Sequence, residues 1–314
     1  MEIISQYSCS FSKPAVCTTI GFFDGVHYGH QFLLKQLKDI ALEKKLKTSV
    51  TTFWNHPRTC LQTDFLPKIL TSTEEKLERI DQIGIDFCFL LDFTPKIAQM
   101  TAEDFIQQVL VEKLNVKTLL IGYDHRFGKD RNEGFDGYVR SGKTCGIDVI
   151  LAKKLDSQTS HAISSTAIRN KIRNKAIAEA NQLSGYAYSL SGTVIYGDQI
   201  GRKIDYPTAN LKVSDLSKVI PSEGVYAVRV ILDDNSYPGM AYIGTRPTVS
   251  DQREERIEVH IINFSGNLYE KNIRLEFIDY LRDDRHFDSL EELQKQLNRD
   301  KEQTLFILSN HSHV

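Results

Sequence analysis

Gly21-Phe22-Phe23-Asp24-Gly25-Val26-His27-Tyr28-Gly29-His30 is the stretch from which the fold of this chain can be read. It follows the apolar run Ala15 to Ile20, which reads as a buried strand. It leads into Gln31 to Ala41, where Leu33, Leu34, Leu37, Ile40 and Ala41 recur at helical spacing. The stretch is therefore a strand-to-helix turn. Its glycines let the backbone approach a ligand closely or take dihedrals closed to other residues. It ends on a helix N-terminus, whose unpaired N–H groups and positive dipole end suit an anion. His27 and His30 project from the same place, so the turn reads as a phosphate cradle with two potential cations beside it. As a zinc set the two histidines are incomplete, with no cysteine or third ligand nearby.

Outward from the turn, Lys47 to Trp54, Phe87 to Leu91, Val116 to Gly122 and Asp148 to Leu151 read as further strands. Helical periodicity runs over Thr73 to Ile83, and Thr101 is placed to cap another helix. Apolar strands alternating with amphipathic helices predict a parallel α/β sheet. In such sheets the site lies beyond the carboxyl ends of the strands. Polar loops at Gly21 to His30, Asn55 to Arg58, Gly122 to Gly128 and Ile163 to Arg169 each follow a strand, so all four are expected at one edge. Ser165 and Thr166 suit a helix N-cap, with Arg169 one turn on, able to reach an anion at the helix end.

A helix from Thr166 to about Leu183 ends in Ser184-Gly185, a C-cap and domain boundary, which divides the chain into 1–184 and 185–314. Beyond it, Ser191 to Tyr196, Gly224 to Leu232, Gly239 to Gly244, Ile257 to Phe264 and Asn272 to Ile278 read as strands with no helix between them. That spacing predicts an antiparallel barrel. Ser289 opens a last helix, with Leu290, Leu293, Leu297 and Leu305 as its apolar stripe.

The 314 residues suit two domains, and the net charge of −2 speaks against a broad nucleic-acid-binding surface. Five cysteines form no Cys-x-x-Cys pair, which fits reduced thiols in a cytoplasmic protein. The first residues lack a basic region followed by an apolar stretch, and no run approaches the ~20 apolar residues that span a membrane. A monomer or weak homo-oligomer without nucleic-acid or membrane partners is expected.

The His27-Tyr28-Gly29-His30 core resembles the signature of nucleotidyltransferases, and the longer form from Gly21 resembles that of the bacterial FAD synthetases. Asn55 to Arg58, Gly122 to Gly128 and Ile163 to Arg169 follow in that family's order. Gly201-Arg202, Pro207-Thr208-Ala209-Asn210, Gly224-Val225-Tyr226, Ile243 to Thr248, Glu258-Val259-His260, Leu268-Tyr269 and Leu281-Arg282 look like riboflavin kinase. Nearly the whole chain thus resembles the bacterial two-domain bifunctional riboflavin kinase/FAD synthetases.

The resemblance implies a Rossmann-like nucleotidyltransferase domain followed by a barrel of riboflavin kinase type with a C-terminal helix. It implies two ATP-dependent transfers: riboflavin to FMN in the second domain, then FMN to FAD and pyrophosphate in the first. His27 and His30 would stabilise the adenylyl transition state. Gly21, Phe23, Asp24, Gly25 and Gly29, with Ser165, Thr166, Arg169, Gly201 and Arg202, would bind ATP and its phosphates. His56, Asp124, Arg126 and Arg282 would line the flavin; Arg126 suits an acceptor phosphate or pairs with Asp124. Thr208 and Asn210 would ligate the Mg²⁺ on ATP, and Glu258 would be the general base. An alcohol must lose its proton during transfer and FMN phosphate need not, so a carboxylate base is required only in the second site.

The chain departs from the pattern at Asn55, His125, Ile204-Asp205-Tyr206, Tyr242 and Asp284. Two other readings stay open: transfer to a different acceptor, and a flavin- or nucleotide-sensing module without turnover, which Asp205 beside a phosphate loop favours.

Overall fold

The computed structural model describes residues 1–5, 14–55, 68–123, 125–129, 134–155, 163–196, 206–247 and 253–310. These form two compact units, Met1–Ile163 and Ser164–Val314.

The first unit is a six-stranded parallel sheet. Its strands are β1 (Glu2–Ser5), β2 (Val16–Ile20), β3 (Lys47–Phe53), β4 (Phe87–Leu91), β5 (Val116–Ile121) and β6 (Asp148–Leu151). Their spatial order is β1-β4-β3-β2-β5-β6. Helices α1 (Tyr28–Glu43) and α2 (Thr73–Gln82) bury Leu34, Leu37, Ala41 and Ile80 on one face. A short helix α3 (Pro95–Ala98) precedes α4, which runs Ala102–Phe105 and continues as a π-helix over Ile106–Val111. Together with α5 (Phe135–Thr144), α4 covers the other face through Phe105, Ile106, Leu110 and Tyr138. Both faces are covered, so β2 is buried along its whole length. Each fully buried Leu, Ile or Phe here contributes about 1.5–3 kcal/mol.

Strand order reverses beside β2, with β3 on one side and β5 on the other. That is the switch point at which such sheets bind ligands, and the loop leaving β2 there is Gly21 to His27.

The second unit begins with α6 (Ser165–Arg173) and α7 (Ile177–Ser184). It continues as a closed antiparallel barrel of β7 (Tyr188–Ile195), β8 (Ala209–Val213), β9 (Gly224–Leu232), β10 (Asn235–Pro247), β11 (Arg253–Ile261) and β12 (Asn272–Arg282). The barrel order is β10-β11-β8-β7-β12-β9, and α8 (Leu290–Asn310) follows.

The fold class is as the sequence predicts; several elements are not. β1 is too short to show periodicity and is held by its parallel pairing with β4. α5 carries Gly137 and Gly142, which hide its helical pattern, while a Cβ at Gly142 would meet Val149 Cγ2 at 2.3 Å. The residues after Pro207 open a sixth barrel strand, β8, because β11 and β7 supply partners on both sides.

The single helix expected after Thr166 is two, broken where Lys175 takes φ 64°. Both lie in the unit that begins at Ser164, whereas the sequence reading groups them with residues 1–163. Asn181, buried in α7, is one reason: its amide donates to the Phe277 carbonyl at 2.8 Å, and its Oδ1 accepts from the Tyr188 N–H at 2.8 Å. In α8, Leu293 and Leu297 pack inward against Tyr206, Met240 and Ile262, whereas Leu290 and Leu305 are exposed. The inward side of the last turns carries Asp300 and Thr304 instead.

Candidate active sites

In the first unit the loop after β2 is strained. Phe23 (φ 55°), Gly25 (φ 78°) and Val26 (φ 35°) all take positive φ. For Phe and Val this costs about 1–3 kcal/mol each and needs fixing from outside. Asp24 supplies it: its buried Oδ1 accepts from the N–H groups of Leu70 (2.8 Å) and Thr71 (3.3 Å). Thr71 Oγ1 returns the contact by accepting from the Gly25 N–H at 3.0 Å. A Cβ at Gly25 would lie 2.7 Å from Leu70 Cδ1, so only glycine fits. Asp24 thus spends an oxygen on shaping the turn.

His27 caps α1 and its Nδ1 accepts from the His30 N–H at 3.4 Å. The His27 and His30 rings stack at 3.7 Å between centroids, and the Phe23 ring meets His30 edge-on at 5.1 Å. Burial, then repulsion from His27 and His125, holds His30 well below the usual histidine range. The sequence reading makes both histidines potential cations; His30 is neutral in the free protein, because packing removes its hydration. His125, in the loop after β5, brings a third imidazole into its electrostatic reach.

Lys76 of α2 is a residue the sequence analysis passed over, since a lysine beside Glu74 and Glu75 looks like a solvated face. It is 2% exposed. Its Nζ donates to the Phe53 carbonyl (2.8 Å) and Thr52 Oγ1 (3.3 Å) and sits 4.5 Å from the Phe22 ring centre. Thr52 Oγ1 donates in turn to the Phe22 carbonyl at 3.2 Å, so the ammonium ties the end of β3 to the strained loop.

Burial pushes the Lys76 amine down from 10.5 to about 8. From about pH 8 upward the unfolded chain holds the extra proton, so this group makes folding more favourable as pH rises. Cys17 and Cys88, pushed by burial from 9.0 to about 12, act in the opposite sense above pH 9. Urea unfolding followed through Trp54, the one tryptophan, is expected to show stability rising between about pH 8 and pH 9 in the wild type and not in Lys76→Met.

Asn55, a departure from the expected pattern, clamps the Phe93 backbone by accepting from its N–H (2.9 Å) and donating to its carbonyl (3.2 Å). Arg126 is exposed and donates to the His125 carbonyl. His56 and Asp124 lie outside the described residues, as do Gly201, Arg202 and Asp205.

At the start of the second unit, Ser164 is the helix cap, its Oγ accepting from the Ala167 N–H at 3.2 Å. The sequence reading places the cap at Ser165 or Thr166. Both instead lie in the first turn of α6, where Thr166 Oγ1 accepts from Arg169 at 3.2 Å.

On the barrel, burial alternates along β11. Ile257, Val259 and Ile261 face the core, while Arg256, Glu258 and His260 face the outer wall. Register sets Glu258 directly opposite Asn210 of β8 and Tyr242 of β10. Thr208 Oγ1 donates to Glu258 Oε2 at 2.8 Å, and Arg256 Nε lies 2.9 Å from Glu258 Oε1 and 2.9 Å from Asn210 Oδ1. The sequence thus names three residues that the sheet brings together, and misses Arg256, which its two-residue offset from Glu258 could have flagged. His260 Nδ1–H donates to the Pro207 carbonyl (2.9 Å), which steadies the residue before Thr208.

Tyr242 and Asp284, two separate departures in sequence, meet: the Tyr242 hydroxyl donates to Asp284 Oδ2 at 2.9 Å. Burial first, then this carboxylate, pushes the phenol up to about 12, so it stays a donor.

Arg282 pairs with a carboxylate of the last helix. It grips the buried Asp300 of α8, with Nε and Nη2 each 2.9 Å from Oδ2, and Gln296 donates to Oδ1 at 2.8 Å. Its role here is to anchor α8. Asp300→Ala leaves a partly buried guanidinium unpaired and is expected to cost about 2–3 kcal/mol in urea unfolding. An unchanged stability with a raised riboflavin KM would instead make Arg282 a flavin contact.

Comparison with known proteins matches a different family to each half of the chain. The FAD synthetase family matches residues 10–167 and the riboflavin kinase family residues 184–308. The bifunctional riboflavin kinase/FMN adenylyltransferase of Escherichia coli (strain K12) is 37% identical over 284 residues, 90% of each chain. That of Bacillus subtilis (strain 168) is 35% identical over 301 residues, 93% of this chain and 92% of that one. The chain belongs to the bifunctional riboflavin kinase/FMN adenylyltransferase family. It is a riboflavin kinase and an FAD synthetase, making FMN and then FAD. A Streptococcus pneumoniae crystal structure described as a macrolide-efflux protein has the same fold, with a TM-score of 0.88 and 30% identity over 97% of this chain and 99% of that one. No helix among the described residues of this enzyme is long and apolar enough to cross a membrane.

Proposed function

We propose that the two transfers divide between sites of different chemistry: imidazoles and a helix N-terminus for adenylyl transfer, and a carboxylate base for the kinase. The observation that carries this is the contrast between Asp24 and Glu258. Asp24 spends Oδ1 on backbone N–H groups, whereas Glu258 stands on the outer barrel wall among polar side chains. In the first site, FMN phosphate is already a nucleophile, so His27, His30 and the N–H groups of α1 need only position it and stabilise charge at the α-phosphorus. In the second, Glu258 takes the proton of the ribityl 5′-hydroxyl.

Thr208 Oγ1, Asn210 Oδ1 and the Glu258 carboxylate are hard oxygen donors of the kind Mg²⁺ takes, so Thr208 and Asn210 fit as holders of Mg²⁺·ATP. Bound there, the ion would offset charge on the phosphate tail. Ser165, Thr166 and Arg169 are read as triphosphate ligands of the adenylyl-transfer reaction. Residues 1–184 are read as the adenylyl-transfer domain and 185–314 as the kinase domain. Gly201 and Arg202 are read as phosphate-loop residues, and His56, Asp124 and Arg126 as the flavin side. A cytoplasmic monomer or weak homo-oligomer without nucleic-acid partners accords with the net charge of −2.

The test is one incubation of flavin-free protein with riboflavin, ATP and Mg²⁺, the flavins being separated over time. FMN followed by FAD is expected. FAD from supplied FMN, but no FMN from riboflavin, would point to damage at Ile204-Asp205-Tyr206. Binding without any product would favour a sensing module.

A further inference from the structure

The oxygens that fit a metal ion already carry a cation of the protein's own. Arg256 Nε bears one hydrogen, yet it lies 2.9 Å from both Asn210 Oδ1 and Glu258 Oε1. The N–H donates to Asn210 while the positive charge pairs with Glu258 on its own strand. Thr208 donates to the remaining oxygen of the Glu258 carboxylate. Asn210 is 8% exposed, so its carbonyl depends on protein donors rather than bulk water. Arg256 sits two residues before Glu258 on the same face of β11, on a backbone fixed by the ladder to β10. Its side chain is 27% exposed, so it has a path out to solvent without moving the strand.

We propose that Arg256 is a tethered counter-cation of the kinase site, which occupies the Asn210–Glu258 oxygens in the nucleotide-free enzyme and must swing away for Mg²⁺·nucleotide to load. This rests on reading Thr208 and Asn210 as the metal ligands. A guanidinium and a divalent ion cannot share one carbonyl oxygen without strong repulsion, because their separation would be a few ångströms. The guanidinium cannot escape by losing its proton, so the competition persists across physiological pH. Holding Glu258 between Thr208 and Arg256 also occupies the base before the nucleotide arrives. The plainer alternative is a surface ion pair that merely joins β11 to β8; such a pair has no reason to oppose a metal.

The two readings separate in a metal-binding measurement on the full-length protein. Mn²⁺ is titrated in the presence of ADP, and free Mn²⁺ is followed by electron paramagnetic resonance. The proteins are the wild type, Arg256→Gln, Arg256→Lys, and Arg256→Gln combined with Asn210→Ala. The proposal expects Arg256→Gln to bind Mn²⁺ about tenfold more tightly than wild type at one site, since one repelling charge is removed. Arg256→Lys keeps the charge and should stay near wild type, and adding Asn210→Ala should abolish the gain. Equal or weaker binding in Arg256→Gln, at a site that Asn210→Ala removes, overturns the counter-cation and leaves the metal site standing. Binding that ignores Asn210 altogether overturns both. Melting temperatures of the four proteins, measured alongside, identify any variant whose loss is one of folding.

Discussion

Glu258→Gln is expected to lower FMN formation from riboflavin by about 10²–10⁴-fold while FAD formation from supplied FMN continues at the wild-type rate. The amide keeps the shape of the carboxylate but cannot accept the 5′-hydroxyl proton, and without that transfer the attacking oxygen must carry a positive charge in the transition state. The substitution also tests the surroundings. Thr208 donates to Oε2 and the Arg256 guanidinium pairs with Oε1, so a glutamine must turn its NH₂ toward a donor or a cation. Some loss of Thr208 and Arg256 geometry will therefore raise the KM for ATP as well. Glu258→Asp separates the effects: it keeps the base but withdraws it by one methylene, so activity should fall less than in Glu258→Gln. FMN formed at the wild-type rate by Glu258→Gln would remove Glu258 from the chemistry.

The second large effect is at the stacked histidines. His27→Ala together with His30→Ala is expected to cut FAD formation by about 10²–10³-fold, the range for losing preorganised donors at a developing charge, with FMN formation retained. His30 has a finer signature. Its imidazole is neutral in the free protein because of burial and of His27 and His125. A triphosphate arriving beside it supplies negative charge that offsets the lost hydration of the imidazolium, so the bound-state pKa must rise. Binding at a pH between the two values therefore takes up a proton, and ATP affinity increases as pH falls through that window. Calorimetry of ATP binding in two buffers of different ionisation enthalpy measures the uptake directly, and it should vanish in His30→Ala. His125→Phe removes the smaller of the two repelling imidazoles and should move the window of uptake toward higher pH, burial remaining the larger cause. An uptake unchanged in His30→Ala would assign the proton elsewhere.

Local chemistry in the chain was enough to find the parallel sheet and the barrel, and to name Thr208, Asn210 and Glu258, which the barrel brings together. Strand burial on both faces leaves continuous apolar runs such as Phe87 to Leu91, and a helix start after a glycine turn leaves His27 and His30 in plain view. Those signals act over a few residues. What the chain did not disclose depends on partners tens to hundreds of positions away.

Lys76 looked solvated because its neighbours Glu74 and Glu75 are charged; only the closure of α2 over β3 buried it against Phe22, Thr52 and Phe53. Arg282 and Asp300 became a buried pair because α8 returns across the barrel. Tyr242 and Asp284 are separate oddities in sequence and one hydrogen bond in space. Arg256 reached Asn210 because antiparallel register set β8 beside β11.

Which residue types can do the chemistry, and in what order along the chain, was determined by the sequence alone. The protonation state of His30 and the cation resting on the kinase oxygens were decided only by the tertiary structure. Desolvation and charge pairing depend on distance through space, and the chain sets that distance only once it has folded.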